Sequence, residues 1–442
     1  MIDKTTIAAT ARAPADPDRL TATAIIGETL CGRRSVREVA EETLRLIEAR
    51  EHEVKAFAYL DVERVRADAA ALDDRPSRGA LHGVTVAVKE MISLADMPTS
   101  CNTPRYRGLV RGADAACVDI LRSAGALVVG TATMTEFAVS HRGPATTNPN
   151  APGRTPGSSS SGSAAAVAAG FCAIGIGTQT GGSVIRPASY CGVFGFKPTW
   201  NVVSTEGVRT LAPTCDTVGF FARDTRDLIL LANAYDMDAA PEFDTLAGRK
   251  VGVCRPPRWE LAETGTRSAM DETARRLKAA GARVEDCVLP SCFDSFSDAH
   301  DAIIARELRT ALLNEMRTTP ELHPEIVTLV AKGETVSAQA AREAYEVIDR
   351  CRAGIDSVLA GYDFIIAPSA TGEAPPGLGY TGSSALNVIW TILQVPVVSV
   401  PGQTGPSGAP VGVSVVTRRY TDRTAISAAA LLAPCLSDGV DT

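Results

Sequence analysis

Two turns rich in glycine and serine lie on either side of a small-residue segment in the middle of the chain. The first covers residues 157–163 and the second covers 179–183, with alanine-rich and apolar segments between them. Glycine lets backbone N–H groups approach a bound group closely, so such turns beside buried segments favour an anion or oxyanion site. A flexible linker is the alternative, but linkers do not alternate with apolar segments.

A serine nucleophile in these turns would need a base. The five histidines all lie outside the turns, and no Gly-x-Ser-x-Gly elbow occurs, so a Ser-His-Asp hydrolase is weakly supported. Lys89 ends a predicted strand over residues 84–89, in which Val84, Val86 and Val88 share one face. A lysine at a strand end usually reaches solvent. The alternative is a desolvated amine with a lowered pKa that accepts a proton, and the residues alone leave both open.

Composition excludes several classes of protein. Of 442 residues, 45% are hydrophobic and 21% charged, which allows a large core and excludes global disorder. The net charge of −7 and the absence of a basic stripe argue against a nucleic-acid partner. No apolar run reaches the ~18 residues that a membrane span needs, and the N-terminus lacks an apolar signal region. Eleven scattered cysteines without metal-ligand spacing predict a reduced, cytoplasmic setting without zinc.

Predicted strands and helices alternate along the chain. Further strands are predicted over residues 126–130, 250–254, 362–368, 395–400 and 411–416. Helices are predicted over residues 62–72, 113–124, 224–235, 266–280, 297–316 and 337–359. This rhythm predicts a largely parallel or mixed sheet covered by helices. The Gly/Pro-rich residues 372–384 are predicted to form a rim or lid.

Several motifs occur together in a specific order. They are the strand ending in Lys89, the serine-rich turn 157–163, Gly181-Gly182-Ser183 with Pro187, and the segments 192–199 and 216–219. In this combination the chain resembles the amidase signature family over about residues 20–430. The resemblance implies an α/β/α sandwich with a large mixed, mostly parallel central sheet, and neither metal nor organic cofactor.

The resemblance also implies how the chain is organised. We expect a single amidase domain over residues 18–435, with a core at 83–220 and a helical elaboration at about 264–360. A poorly ordered segment, 1–17, and a tail, 436–442, would flank it. The family suggests a cytoplasmic homodimer whose partner is a small-molecule amide, with no nucleic acid and no membrane.

The family's Ser-Ser-Lys triad maps onto this chain residue by residue. Ser183 matches the nucleophile, Ser159 the bridging serine and Lys89 the base, with Ser160 expected to support the lysine. Without the resemblance, Ser159 would be read as a helix cap. Backbone N–H groups of four residues would form the oxyanion hole: Thr180, Gly181, Gly182 and Ser183.

Three departures from the family's pattern bear on the substrate. Ser158 stands where the family usually has glycine, before a cis peptide bond, and we predict that Ser158–Ser159 is still cis. Gln179 replaces a common aspartate, and Arg186 lies three positions after the nucleophile instead of two. This combination resembles malonamidase-type members, in which that arginine pairs with a substrate carboxylate. An internal ion pair or loop anchor is the alternative role for Arg186.

Two further residues resemble the same subgroup. Asn387 and Trp390 are predicted to line the pocket together with Gln179 and Arg186, although Trp390 suits the core equally well. Asp216 is expected to tie a loop by hydrogen bonds.

The sequence therefore predicts an amidohydrolase that acts on linear amides. It would hydrolyse the C–N bond of a small carboxamide, with a carboxylate-bearing substrate as the best guess, through an acyl-enzyme on Ser183. Two alternatives stay open. One is a component of a tRNA amidotransferase, although those subunits usually carry the aspartate and earlier arginine that are absent here. The other is a non-catalytic family member, against which the intact Lys89, Ser159 and Ser183 argue.

Overall fold

The computed structural model describes residues 20–75, 78–319 and 321–436. The predicted N-terminal segment, 1–17, and all but the first residue of the predicted tail, 436–442, lie outside these ranges.

The described strands are β1 (Phe57–Leu60), β2 (Thr85–Lys89), β3 (Leu127–Ala132), β4 (Ile174–Gln179), β5 (Phe194–Lys197), β6 (Thr217–Ala222), β7 (Lys250–Cys254), β8 (Arg283–Cys287), β9 (Phe364–Pro368), β10 (Val397–Thr404) and β11 (Pro410–Val416). The described α-helices are α1 (Ala22–Thr29), α2 (Val36–Val54), α3 (Val62–Asp73), α4 (Ala116–Ser123), α5 (Ser161–Ala168), α6 (Ile185–Cys191), α7 (Thr225–Ala234), α8 (Thr264–Ala279), α9 (Phe296–Ala311), α10 (Leu313–Thr318), α11 (Pro324–Glu334), α12 (Ala338–Leu359), α13 (Val388–Ile392) and α14 (Asp422–Leu436).

The described strands form one eleven-stranded sheet in the order β1–β3–β2–β4–β6–β5–β10–β11–β9–β7–β8. Four pairings are parallel, namely those of β2 with β3 and β4 and those of β7 with β8 and β9. The other six pairings are antiparallel. The predicted mixed sheet is confirmed, but the prediction that it is mostly parallel is wrong. The strand–helix rhythm holds toward the two ends of the sheet, whereas β6, β5, β10 and β11 form an antiparallel centre.

Both faces of the sheet are buried beneath helices. In β2, Val86 and Val88 pack into a cluster with residues of α7 and α14, whereas Ala87 packs into another with residues of α2 and α3. Successive side chains of a strand point to opposite faces, so this division shows a helical layer on each side. The predicted α/β/α sandwich is confirmed.

Most predicted elements are present, and the differences have physical causes. The predicted helix over 297–316 is divided into α9 and α10 at Leu312, whose backbone leaves the helical region. Strand β8 was not predicted because it lies at the edge of the sheet, where three of its five side chains are exposed and no hydrophobic alternation is required. Strand β1 and helix α11 were not predicted either.

The structure also shows the state of the cysteines and the character of the helices. The three cysteines predicted to be buried, Cys172, Cys191 and Cys254, are buried, and all eleven cysteines are free thiols. No helix within residues 20–75, 78–319 and 321–436 has the length and apolar character needed to cross a bilayer.

Helix α5 packs so closely that one of its positions accepts only glycine. A Cβ atom on Gly162 would overlap the carbonyl oxygen of Ala56 and the amide nitrogen of Thr133. We predict that Gly162→Ala lowers the free energy of unfolding by about 1–3 kcal/mol, because neither backbone atom can move aside. Calorimetric melting of the variant checks this.

Gly27→Ala is the matched control for that variant. Gly27 lies within α1, and a Cβ atom there would contact nothing within 4 Å. The higher helix propensity of alanine should leave this control unchanged or stabilised by up to about 1 kcal/mol. Equal melting temperatures for Gly162→Ala and the unsubstituted protein would contradict the packing argument.

Candidate active site

The sheet brings the predicted lysine and the second glycine turn together. Strands β2 and β4 are parallel neighbours, with Val88 in register with Ile176. The carboxyl ends of parallel neighbours meet at the same edge of a sheet, so Lys89 at the end of β2 lies beside the end of β4. The turn 180–183 follows β4 directly and leads into α6. The local topology thus places a strand-end amine next to the turn that carries Ser183.

Lys89 is fully buried and contacts hydroxyl groups instead of solvent. Its Nζ lies 2.7 Å from Ser159 Oγ and 2.7 Å from Thr178 Oγ1. Among the described residues, no carboxylate forms an ion pair with it. Burial lowers the pKa of Lys89 to about 7, and the nearby Asp216, Cys101 and Glu90 offset only part of that shift. The alternative of a solvent-exposed lysine is therefore excluded.

The serine turn places Ser159 and Ser160 in different environments. The Ser158–Ser159 peptide bond is cis, as predicted. Ser159 Oγ meets the lysine, whereas Ser160 Oγ bonds the backbone of Thr178, accepting from its N–H and donating to its carbonyl, both at 3.2 Å. Ser160 thus reaches Lys89 only through Thr178.

Thr178 is a site residue that was not predicted from the sequence. Its hydroxyl contacts Lys89 Nζ and donates to Met91 Sδ at 3.2 Å. Its position in the sequence, a hydroxyl near the end of an apolar segment, could have indicated a site residue. The contact with Lys89 could not be predicted without the register between β2 and β4.

The turn after β4 presents backbone donors to a cavity. Among the described residues, no acceptor bonds the N–H groups of Gly181, Gly182 and Ser183, all of which line the cavity. The side chain of Gln179 satisfies the next two N–H groups, because its Oε1 accepts from Val184 at 2.8 Å and Ile185 at 3.0 Å. These are three of the four N–H groups predicted for the oxyanion hole, and unpaired N–H groups at one turn are the donors that an oxyanion requires.

Gln179 does not line the cavity, and this placement corrects its predicted role in substrate binding. Its Nε2 donates to Thr391 Oγ1 at 2.9 Å, and that hydroxyl donates to Gly181 O at 2.6 Å. Gln179 therefore holds the turn in place from behind. The aspartate that is common at this position has no N–H group, so it could not donate to Thr391 as Gln179 does. The replacement of aspartate by glutamine therefore changes how the turn is supported.

Asn387 lies behind the turn, and neither it nor Trp390 lines the cavity. Asn387 Nδ2 donates to Ser369 O at 2.9 Å, and a Cβ atom on Gly182 would come within 2.6 Å of Asn387 Oδ1. Trp390 is 1% exposed and packs within the hydrophobic core. These positions contrast with the predicted contact of both residues with substrate.

Asp216 ties the turn to a neighbouring loop, as expected. Its carboxylate accepts from Thr180 Oγ1 at 2.6 Å and from the N–H groups of Leu211 at 2.6 Å and Ala212 at 3.0 Å. Burial raises the pKa of Asp216 to about 6, although these hydrogen bonds oppose the shift.

Arg186 is a buried cation without an anionic partner. Its side chain is 3% exposed, and Nη2 donates to Ser158 O at 2.8 Å and Ser158 Oγ at 3.1 Å. Nε and Nη1 are buried and have no hydrogen-bond partner, and no carboxylate pairs with Arg186 in the part of the chain that the structure describes. Burial lowers the pKa of Arg186, and the groups opposing that shift are tyrosines, Tyr190 and Tyr380. The alternative of an internal ion pair is therefore excluded.

One cavity of about 330 Å³ connects these features, a size that suits a small molecule. Ser183, the turn before it, Ser158 and Arg186 form one part of its wall. Helix α9 contributes His300 and Leu308, and Tyr380 to Ala385 lie along the wall as the predicted rim. Ser183 is 8% exposed, and within the described ranges no hydrogen bond joins its hydroxyl to Ser159. The cavity therefore holds the nucleophile position, the unpaired N–H groups and the unpaired arginine.

Comparison with known proteins agrees with this geometry. A family model described as Amidase matches residues 38–426. The A subunit of glutamyl-tRNA(Gln) amidotransferase from Symbiobacterium thermophilum is 37% identical over 287 residues, which are 59% of this chain and 59% of that relative. The aligned region thus spans less than two thirds of that relative's length.

Solved structures are similar over more of the chain. A crystal structure of an amidase has a TM-score of 0.84 at 27% identity, covering 94% of this chain and 100% of that one. The A subunit of glutamyl-tRNA(Gln) amidotransferase from Thermotoga maritima has a TM-score of 0.76 at 25% identity, covering 94% and 95%. Since the family model covers most of the sequence, the chain belongs to the amidase signature family.

Proposed function

We propose that this protein is an amidase that hydrolyses the C–N bond of a small carboxamide through an acyl-enzyme on Ser183. The observation that carries the proposal is the contact between Lys89 Nζ and Ser159 Oγ, where both side chains are buried and no carboxylate of the described residues pairs with the amine. An amine that is neutral near pH 7 is able to accept a proton there, whereas an ordinary lysine is not.

The proton moves through two hydroxyls. Ser183 Oγ attacks the amide carbonyl carbon and passes its proton to Ser159, which passes its own to Lys89. The N–H groups of Gly181, Gly182 and Ser183 stabilise the oxyanion of the tetrahedral intermediate, and one such donor typically contributes ~10²–10³ in rate. The relay then runs in reverse and protonates the leaving nitrogen as the C–N bond breaks. Water releases the acid by the same route and restores the Ser183 hydroxyl.

The substrate class follows from Arg186. A buried guanidinium that has unpaired nitrogen atoms and no anionic partner among the described residues favours a ligand that brings a negative charge and a hydrogen-bond acceptor, and a carboxylate does both. The cavity volume favours a small molecule. We therefore propose a small primary amide that bears a carboxylate, as in malonamidase-type members. The relatives found by comparison do not single out that subgroup, so this assignment depends on Arg186.

A second candidate is a component of an amidotransferase complex. The similarity to the A subunits of glutamyl-tRNA(Gln) amidotransferases favours it. Such a component would release ammonia to partner proteins and would depend on ATP in the assembled complex. Copurification of two further subunits together with ATP-dependent turnover would support this candidate over the free amidase.

Ammonia release from a panel of neutral, aromatic and carboxylated amides tests the proposed function. We expect turnover by the isolated chain without ATP, and we expect a fluorophosphonate probe to label Ser183. Ser183→Ala should abolish both, with an unchanged melting temperature. A folded wild-type chain that neither turns over any amide nor reacts with the probe would identify a non-catalytic family member.

The pH dependence of the reaction should report Lys89. Below its pKa the amine is protonated and cannot accept the Ser159 proton, so kcat/KM should rise about tenfold per pH unit up to about pH 7 and level off above it. Lys89→Met should lower kcat/KM by at least about 10³. A rate that is flat between pH 5.5 and 9, or that rises only near pH 10, would contradict the role of a neutral Lys89.

Substituting Arg186 should separate acidic from neutral amides. Removing a charge-assisted pair of hydrogen bonds costs about 1.5–3 kcal/mol, so Arg186→Ala should lower kcat/KM for carboxylated amides about 10- to 100-fold. For neutral amides we expect a change below about threefold. Arg186→Lys is the matched control, because it keeps the charge but loses the fork and should show an intermediate loss. Equal losses on both classes would reject the carboxylate site.

A further inference from the structure

A histidine in the cavity wall has no part in the proton relay. His300, on α9, is 6% exposed, and it lines the same cavity as Ser183 and Arg186. Its Nδ1 lies 3.0 Å from Asp301 Oδ1. Its Nε2 is buried and has no hydrogen-bond partner among the described residues. Among the described residues, one ring nitrogen of His300 therefore has a hydrogen-bond partner and the other has none.

The neighbours of His300 determine which nitrogen carries the proton. Arg258 Nη2 donates to Asp301 Oδ2 at 3.1 Å. Burial alone would raise the pKa of Asp301, but the hydrogen bond with His300 and the charge of Arg258 outweigh it and lower that pKa. An ionised carboxylate only accepts hydrogen bonds, so Nδ1 carries the hydrogen. In the neutral imidazole, Nε2 then presents a lone pair.

The ring is also held in orientation. Phe296 stacks on it with 6.1 Å between ring centroids and 20° between planes. Buried polar side-chain atoms are usually hydrogen-bonded. His82 also has an unpaired buried nitrogen, Nδ1, but it does not line the cavity, whereas His300 does. A buried acceptor without a donor costs about 1–3 kcal/mol, which a ligand that supplies the donor would recover.

We propose that His300 Nε2 accepts a hydrogen bond from a substrate N–H, so that the site takes carboxylated amides with a second N–H group, such as ureido acids. This inference rests on the proposed function and names its substrate class. Arg186 supplies the positive charge for the carboxylate, whereas Arg258 and Asp301 neutralise each other. The surroundings of His300 in the cavity wall therefore favour a neutral donor over a second carboxylate.

Matched ligands that differ in one group test the proposal. N-carbamoylglycine and succinamate differ only by N–H against CH₂, as do N-carbamoyl-β-alanine and glutaramate. We would measure their binding by calorimetry to the Ser183→Ala variant of the full chain, so that no turnover is required. A net hydrogen bond predicts about 3- to 10-fold tighter binding of the N–H member in at least one pair.

Two substitutions then assign that preference to Nε2. The amide of His300→Asn can occupy the position of Nδ1 near Asp301, but it places no atom at Nε2, so the preference should fall to about onefold. His300→Gln can place its Oε1 near the position of Nε2 and should retain part of the preference. Melting temperatures identify any variant that fails to fold.

The outcomes are distinct. A lost preference in His300→Asn with partial rescue in His300→Gln supports the proposal. No preference in the His300-containing protein, or equal weakening of both ligands of a pair by His300→Asn, overturns it. Failure of the amidase proposal would appear separately, as absent ammonia release by the protein with Ser183 intact.

Discussion

The structure depends on an amine that is removed from water without being given a counter-charge. A protonated Lys89 would be costly in this position, because desolvation is large and the oxygen atoms within hydrogen-bond distance are uncharged, namely two hydroxyl oxygens and the Thr178 carbonyl oxygen. The neutral amine is the form that this environment favours. The carboxyl end of an interior, fully buried strand provides such a position, and the neighbouring strand and the serine turn supply the hydroxyl groups.

A second buried lysine shows that burial alone does not make a base. Lys197 is also fully buried, and burial lowers its pKa to about 7. Its Nζ donates to the carbonyl oxygen of Pro198 at 2.8 Å. A carbonyl has no proton to give, whereas the Ser159 hydroxyl has one. The neighbour of the amine therefore distinguishes a proton acceptor from a structural lysine.

The turn that carries Ser183 is supported from behind, which leaves its front free. The side chain of Gln179 accepts from the two N–H groups that follow Ser183. Asn387 lies against Gly182, and Asp216 connects the turn to a neighbouring loop. Among the described residues, no acceptor bonds the three N–H groups at the cavity, which are therefore left for a ligand. Side chains behind the turn hold its backbone in place, while its N–H groups face the cavity. This explains how a glycine-rich turn keeps a single conformation.

Sequence reasoning predicted the parts of the site that depend on local pattern. The alternation in residues 84–89 predicted the buried strand, and the resemblance to the amidase signature family implied that Lys89 and Ser159 would meet. It failed where long-range pairing decides the outcome. The antiparallel centre of the sheet, the contact of Thr178 with Lys89, and the positions of Gln179, Asn387 and Trp390 outside the cavity wall all depend on which strands and helices are neighbours. His300 was noted only as a histidine, because its pairing with Asp301 and its place in the cavity wall arise from the position of α9.

The most direct measurement of the central claim is the pKa of the Lys89 amine itself. Side-chain ¹⁵N NMR of lysine-labelled protein can follow Nζ through a pH titration, and the signal lost in Lys89→Met identifies residue 89 and separates it from Lys197. The structure predicts a pKa of about 7 for that signal. A value near the ordinary lysine pKa of about 10.4 would contradict the account, because the amine would then be charged whenever the enzyme works.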